Sequence, residues 1–136
     1  IDTPDGLIVP NIKNVDSKSI FQISNEVNEL ASLAKTRKLK VEQLKGATFT
    51  ISSLSGIGGK YFTPIINPPE VGILGLSKTY DSLSMIDENI ITLKQLPISL
   101  SYDHRVINGA YAAKFIVELG NQLKQIDLFI RTFKES

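Results

Sequence analysis

A single histidine, His104, sits in the run Ser101-Tyr102-Asp103-His104-Arg105, where an alternating segment ends and a long helical stretch is about to begin. Imidazole is the side chain best suited to move a proton near neutral pH. Junctions of this kind aim side chains into clefts from a rigid scaffold. A lone histidine is nevertheless more often held by structural hydrogen bonds, so position alone does not make it a base. Asp103 and Arg105 flank it with opposite charge, which reads as an ion pair fixing the loop. Ser52 lies beside a glycine-rich turn, on a strand face shared with Thr50. A polar, solvated strand face is the commoner meaning of that pattern, and the G-x-S-x-G elbow of a nucleophilic serine is absent. The stretch Gly56-Ile57-Gly58-Gly59-Lys60 suggests a phosphate loop only superficially. No Ser or Thr follows the lysine and the first glycine stands too close. Those glycines read instead as a tight turn or a close backbone approach. Cysteine is absent. Disulfides, thiol nucleophiles and thiolate metal sites are therefore excluded, and one histidine leaves only carboxylates as metal ligands, so no metal site is expected.

The elements that must position these residues are legible in outline. Pro4-Asp5-Gly6 is a turn signal, followed by a short apolar strand over residues 6–10. Ser19 and Gln22 have capping-box spacing. Ile20, Ile23, Val27, Leu30, Ala31 and Ala34 then recur at helical spacing, a stripe that reads as core. Val41 to Leu44 reads as a helical turn closed by Gly46. Residues 48–54 alternate, with Phe49 and Ile51 opposite Thr48, Thr50 and Ser52. Residues 64–67 are short and extended, interrupted by Pro68-Pro69. Val71 to Ser77 is apolar and glycine-spaced, as a buried central strand would be. Residues 80–89 read as a polar hairpin connection, and Ile90 to Leu93 as a modest strand. Residues 96–102 alternate, with Ile98 and Leu100 opposite Ser99 and Ser101. The last element is a helix from Gly109 to about Phe129, with Asn108 as its N-cap. Its stripe is Ala112, Phe115, Ile116, Leu119, Leu123, Ile126 and Ile130. No repeat, low-complexity tract or interdomain linker is visible. This order predicts an α/β fold, a two-layer sandwich of a mixed sheet covered by helices.

A hydrophobic fraction of 42% supplies enough apolar material for a core in 136 residues. With 15 basic against 14 acidic residues there is no excess of positive charge, which argues against a dedicated nucleic-acid binder. The local basic run Lys35, Arg37, Lys38, Lys40 and Lys45 reads as a solvated face. No stretch is long and apolar enough for a membrane span. A chain opening on Ile1 rather than methionine is expected to continue upstream, where any targeting segment would lie.

Four ordered segments carry a family resemblance. Asp103-His104-Arg105-Val106-Ile107-Asn108-Gly109 resembles the D-H-R-x-x-D-G signature of dihydrolipoamide acyltransferases, the cores of 2-oxo acid dehydrogenase complexes. Residues 3–14 (TPDGLIVPNIKN), 47–54 (ATFTISSL) and 63–76 (TPIINPPEVGILGL) match the same family in the same order. Asn108 stands where most members have aspartate. Asparagine is familiar there among acetyl-transferring members, and it can hydrogen-bond but not supply a charge.

The resemblance implies a chloramphenicol-acetyltransferase-like fold, of which residues 1–136 are the C-terminal part, the N-terminal part lying upstream. It implies acyl transfer from a dihydrolipoyl thioester to coenzyme A, with His104 as general base, Ser52 as the hydroxyl at the oxyanion and Asn108 beside them. The lipoyl group is expected on an upstream domain. Partners would be further copies of the chain, in trimers that build a larger core, and the 2-oxo acid dehydrogenase and dihydrolipoamide dehydrogenase subunits. No nucleic acid or membrane is expected among them. The compartment would be bacterial cytoplasm or mitochondrial matrix. Acetyl is the expected acyl group. The alternatives are branched-chain or succinyl transfer, a non-catalytic core subunit, which His104 argues against, and a chloramphenicol-acetyltransferase-like enzyme, which Pro68-Pro69 argues against.

Overall fold

The computed structural model describes residues 1–125, which fall into two compact units, one holding Ile1–Ala47 and the other running from Thr48. In the first unit the turn at Pro4-Asp5 closes a minimal antiparallel pair, β1 (Asp2–Thr3) and β2 (Gly6–Leu7), so the strand expected over residues 6–10 shrinks to two residues. Helix α1 (Ile20–Lys35) begins as its sequence dictates. The Ser19 hydroxyl accepts the Gln22 N–H at 3.2 Å, and the Gln22 side chain accepts the Ser19 N–H at 2.8 Å. Two otherwise orphaned donors are thereby satisfied. Only Leu30 and Ala34 of its apolar stripe are buried, while Ile20 and Val27 stay 45% and 48% exposed. The expectation that the whole stripe is core therefore fails within this chain. The lysines of the basic run are all exposed, and Arg37 is held by a bidentate pair with Asp5 at 2.5 Å. A single 3₁₀ turn at Val41–Gln43 leads to Gly46, whose φ of +83° suits glycine.

The second unit is built on three strands: β3 (Thr50–Ser53), β4 (Gly72–Leu76) and, after a hairpin, β7 (Ile98–Tyr102). Their order is β3-β4-β7, parallel then antiparallel, so the sheet is mixed as expected. The apolar β4 takes the centre, with Ile73 and Leu74 each 5% exposed. Between β4 and β7 lies a hairpin of β5 (Tyr80–Ile86) and β6 (Asn89–Gln95), turning at Asp87-Glu88, both with positive φ. Residues 80–89 are thus mostly strand rather than connection. The usual Asn-Gly or Asp-Gly mark of such a turn is missing from the sequence. Cross-strand pairs fix the register, with the Tyr80 hydroxyl donating to Gln95 at 2.7 Å and Lys94 to Asp81 at 2.9 Å.

Helix α2 (Gly109–Lys124) packs on one face of the three-stranded sheet. Phe115 meets Phe49 with ring centroids 6.0 Å apart, over an apolar pocket also lined by Leu100, Tyr102, Ile107 and Ala112. Ile126 and Ile130 of the expected stripe, and the expected helix end near Phe129, lie outside the described residues. The opposite sheet face is covered by the loop through Phe62 and the buried Pro64. A methyl group on Gly75 would stand 2.8 Å from the Phe62 ring, which is why the strand has no side chain there.

Candidate active site

Tyr102 ends β7, and the chain then makes a single turn before α2. Asp103 continues the ladder by donating its N–H to the Val71 carbonyl at 2.9 Å, and its own carbonyl accepts the N–H groups of Val106 and Ile107. This turn holds His104 on the surface with its ring 5.6 Å from that of Tyr102. Gly109 passes close beneath. A Cβ there would lie 3.5 Å from the Tyr102 hydroxyl and 3.9 Å from His104 Nε2, in ordinary contact. Asn108 caps α2, its side-chain oxygen accepting the Tyr111 N–H at 2.8 Å. Asn108→Leu should therefore lower stability by roughly 0.5–2 kcal/mol, whereas Asn108→Asp keeps an acceptor and should melt normally. Thermal denaturation of the two variants checks this, and a leucine variant with an unchanged Tm would remove the capping role.

The Asp103–Arg105 pair expected to fix the loop is present. The Arg105 guanidinium donates to both carboxylate oxygens, at 2.6 Å from its terminal nitrogen and 2.9 Å from Nε, and the Arg105 backbone N–H adds a bond of 3.0 Å. These bonds, the guanidinium first, hold the Asp103 carboxyl at about 2, below its ordinary 3.8. A folded value below the unfolded one means that the pair's contribution is complete above about 3.8 and disappears as pH falls through about 2. In Arg105→Ala the Asp103 midpoint, read by NMR of the carboxyl carbon, should climb toward 3.8. An unmoved midpoint would show that the guanidinium does not hold it.

Ser52 is half-buried in the middle of β3. It pairs with Gly75, which pairs in turn with Ser99 on β7, so its side chain points to the Phe62 and Pro64 face. Tyr102, paired with Gly72, points to the opposite face, toward α2 and the His104 ring. Gly72 and Gly75 are three residues apart along β4, and β3 and β7 lie on opposite sides of it. At about 3.3 Å per residue and 4.8 Å per strand, Ser52 is about 14 Å from Tyr102, with His104 further on. The structure thus brings His104 beside Tyr102 and Gly109, places Asn108 as the cap of α2, and leaves Ser52 apart from them. Nor is the Ser52 face simply solvated, as the plain alternation suggests. Thr50 is buried, and its hydroxyl donates to the buried Glu70 at 2.6 Å. Glu70 carries no signal of this in the sequence, since an acid after two prolines reads as an exposed turn residue. The glycine-rich loop behaves as a turn, with positive φ at Gly58 and Gly59, and Lys60 lies 4.1 Å above the Tyr80 ring. No described helix is long and apolar enough to cross a membrane.

Residues 1–131 match the model of the 2-oxoacid dehydrogenases acyltransferase (catalytic domain) family, and the chain belongs to that family. It is 53% identical over 93% of its length to the dihydrolipoyllysine-residue acetyltransferase component of the pyruvate dehydrogenase complex of Azotobacter vinelandii. It is 52% identical over 90% of its length to the corresponding component of Cupriavidus necator. Among solved structures, 96% of the chain superposes with a TM-score of 0.90 and 51% identity on the Azotobacter vinelandii dihydrolipoamide acetyltransferase, determined to investigate the role of one serine, one histidine and one asparagine in its catalytic mechanism. The cubic core of the pyruvate dehydrogenase multienzyme complex gives the same TM-score of 0.90 at 52% identity. The expected α/β architecture thus holds. The chain spans 54% of these solved chains and 20–22% of the two curated relatives.

Proposed function

We propose that this chain is the C-terminal part of a catalytic domain that transfers an acetyl group from a dihydrolipoyl thioester to coenzyme A, in the core of a bacterial pyruvate dehydrogenase complex. The observation that carries the reading is the turn built around His104 at a strand–helix junction, followed by Asn108 as the cap of α2. The serine, histidine and asparagine studied in the Azotobacter vinelandii enzyme are separated by fifty-two and by four residues, the separations of Ser52, His104 and Asn108.

In the proposed reaction the coenzyme A thiol, mostly protonated at neutral pH, gives its proton to the His104 imidazole. The thiolate adds to the thioester carbonyl carbon, and the Ser52 hydroxyl donates a hydrogen bond to the oxygen that becomes negative. Collapse re-forms the carbonyl and breaks the bond to the lipoyl sulfur, which takes the proton back from His104. The acetyl group passes directly between sulfurs without an acyl-enzyme. Coenzyme A and a lipoyl group carried by a separate upstream domain are the two substrates, and no metal takes part.

The resemblance to the acyltransferase family implies that the histidine of one copy and the serine of its neighbour act on one carbonyl, and the separation of Ser52 from the Tyr102–His104 face within one chain supports that reading. On this reading the site lies between subunits of a trimer, and trimers assemble into the larger core that binds the 2-oxo acid dehydrogenase and dihydrolipoamide dehydrogenase subunits. Leu83, Met85 and Ile90, each 70–75% exposed in the isolated chain, support such association. The cytoplasm is the expected compartment. Single-turnover assays of the full-length protein with acetyl-, isobutyryl- and succinyl-dihydrolipoamide test the reading. Acetyl should be transferred fastest. Transfer of none of the three to coenzyme A would leave only a scaffolding role.

A further inference from the structure

We propose that Glu70 is a positioning residue for this reaction, holding the Thr50 hydroxyl so that β3 presents Ser52 to the reacting carbonyl. The inference rests on the role proposed for Ser52. Glu70 and Thr50 are each only 9% exposed, and the 2.6 Å bond between them joins residues twenty apart in sequence. The Thr50 hydroxyl donates and the Glu70 carboxyl oxygen accepts. Thr50 opens β3, and Ser52 lies two residues further along on the same face. Among the described residues β3 is paired on one side only, through β4, so a clamp at its first residue has leverage over the direction of Ser52.

Glu70 also stands at a joint. The next residue, Val71, accepts the Asp103 N–H at 2.9 Å, and Asp103 shapes the turn that carries His104. Residues 70 and 71 therefore tie the strand bearing the oxyanion donor to the turn bearing the base. In a trimer these two side chains serve different sites, and the joint sets both from one place. A buried acid with no such duty would be an expensive way to stabilise a loop, since burying a carboxylate carries a desolvation penalty that an apolar side chain avoids.

The test uses the full-length, assembled protein and steady-state kinetics. Thr50→Val keeps the shape and deletes the donor. It should lower kcat about 10-fold or more with the KM for coenzyme A within about 2-fold, because a displacement of about 1 Å can lower a rate by as much as about 10²-fold. Glu70→Gln keeps an acceptor oxygen and should stay within about 3-fold of the wild type. The decisive arm is Thr50→Val in a Ser52→Ala background, where its effect should shrink below about 2-fold, since both changes remove the same contribution. An undiminished 10-fold loss in that background overturns the positioning role. So does a Thr50→Val protein that melts earlier but turns over normally once assembled. Ser52→Ala at the wild-type rate is a different failure, because it removes the role of Ser52 itself.

Discussion

His104→Ala in the full-length protein should lower acetyl transfer by about 10²–10⁴-fold, the range a positioned general base supplies. The chain holds no second histidine to take over, and the flanking charges are committed to each other in the Asp103–Arg105 pair. Folding should be untouched. The imidazole is exposed, and among the described residues it makes no side-chain hydrogen bond. Surface changes of this kind usually alter stability by no more than about 0.5 kcal/mol. Loss of rate with an unchanged Tm and an unchanged assembly size is therefore the expected pair of results. Retention of more than about a tenth of the wild-type rate would contradict the general-base role, because even a weak positioned base contributes more than that.

Ser52→Ala should lower kcat by about 10²–10³-fold and leave the KM for coenzyme A nearly unchanged. A hydrogen bond to an oxyanion acts in the transition state, where the charge develops, rather than on the bound thiol. Ser52 is half-buried on a short strand, and alanine fits the same backbone. A rise in KM at constant kcat would make Ser52 a binding residue instead.

The parts of the fold and of the site visible in the sequence are those whose chemistry is local. The Ser19–Gln22 box, the Asn108 cap and the Asp103–Arg105 pair each need only residues two to three positions apart, and all three are present. The glycine-spaced run of β4 is equally readable, because a strand buried on both faces has no polar alternation to obscure it. The features that sequence reasoning misses depend on partners distant in the chain. Residues 80–89 read as a connection because Asp87-Glu88 turns through positive φ without glycine. Glu70 reads as a surface acid until β3 brings Thr50 to it. The separation of Ser52 from His104 is a matter of register. It follows from Ser52 pairing with Gly75 and Tyr102 with Gly72, three residues and one face apart. The exposed stripe of α1 fails as core for a similar reason, since periodicity shows that a face is apolar and not what covers it.

The claim that two copies build one site is tested most directly by complementation. His104→Ala and Ser52→Ala chains, each nearly inactive alone, are co-expressed in equal amounts and the mixed assemblies purified. Each site needs an intact histidine from one copy and an intact serine from its neighbour, so random assortment around a ring should restore about a quarter of the wild-type rate. Mixed assemblies of normal size that stay as inactive as the separate variants would place both residues of each site in one chain and contradict a site shared between subunits.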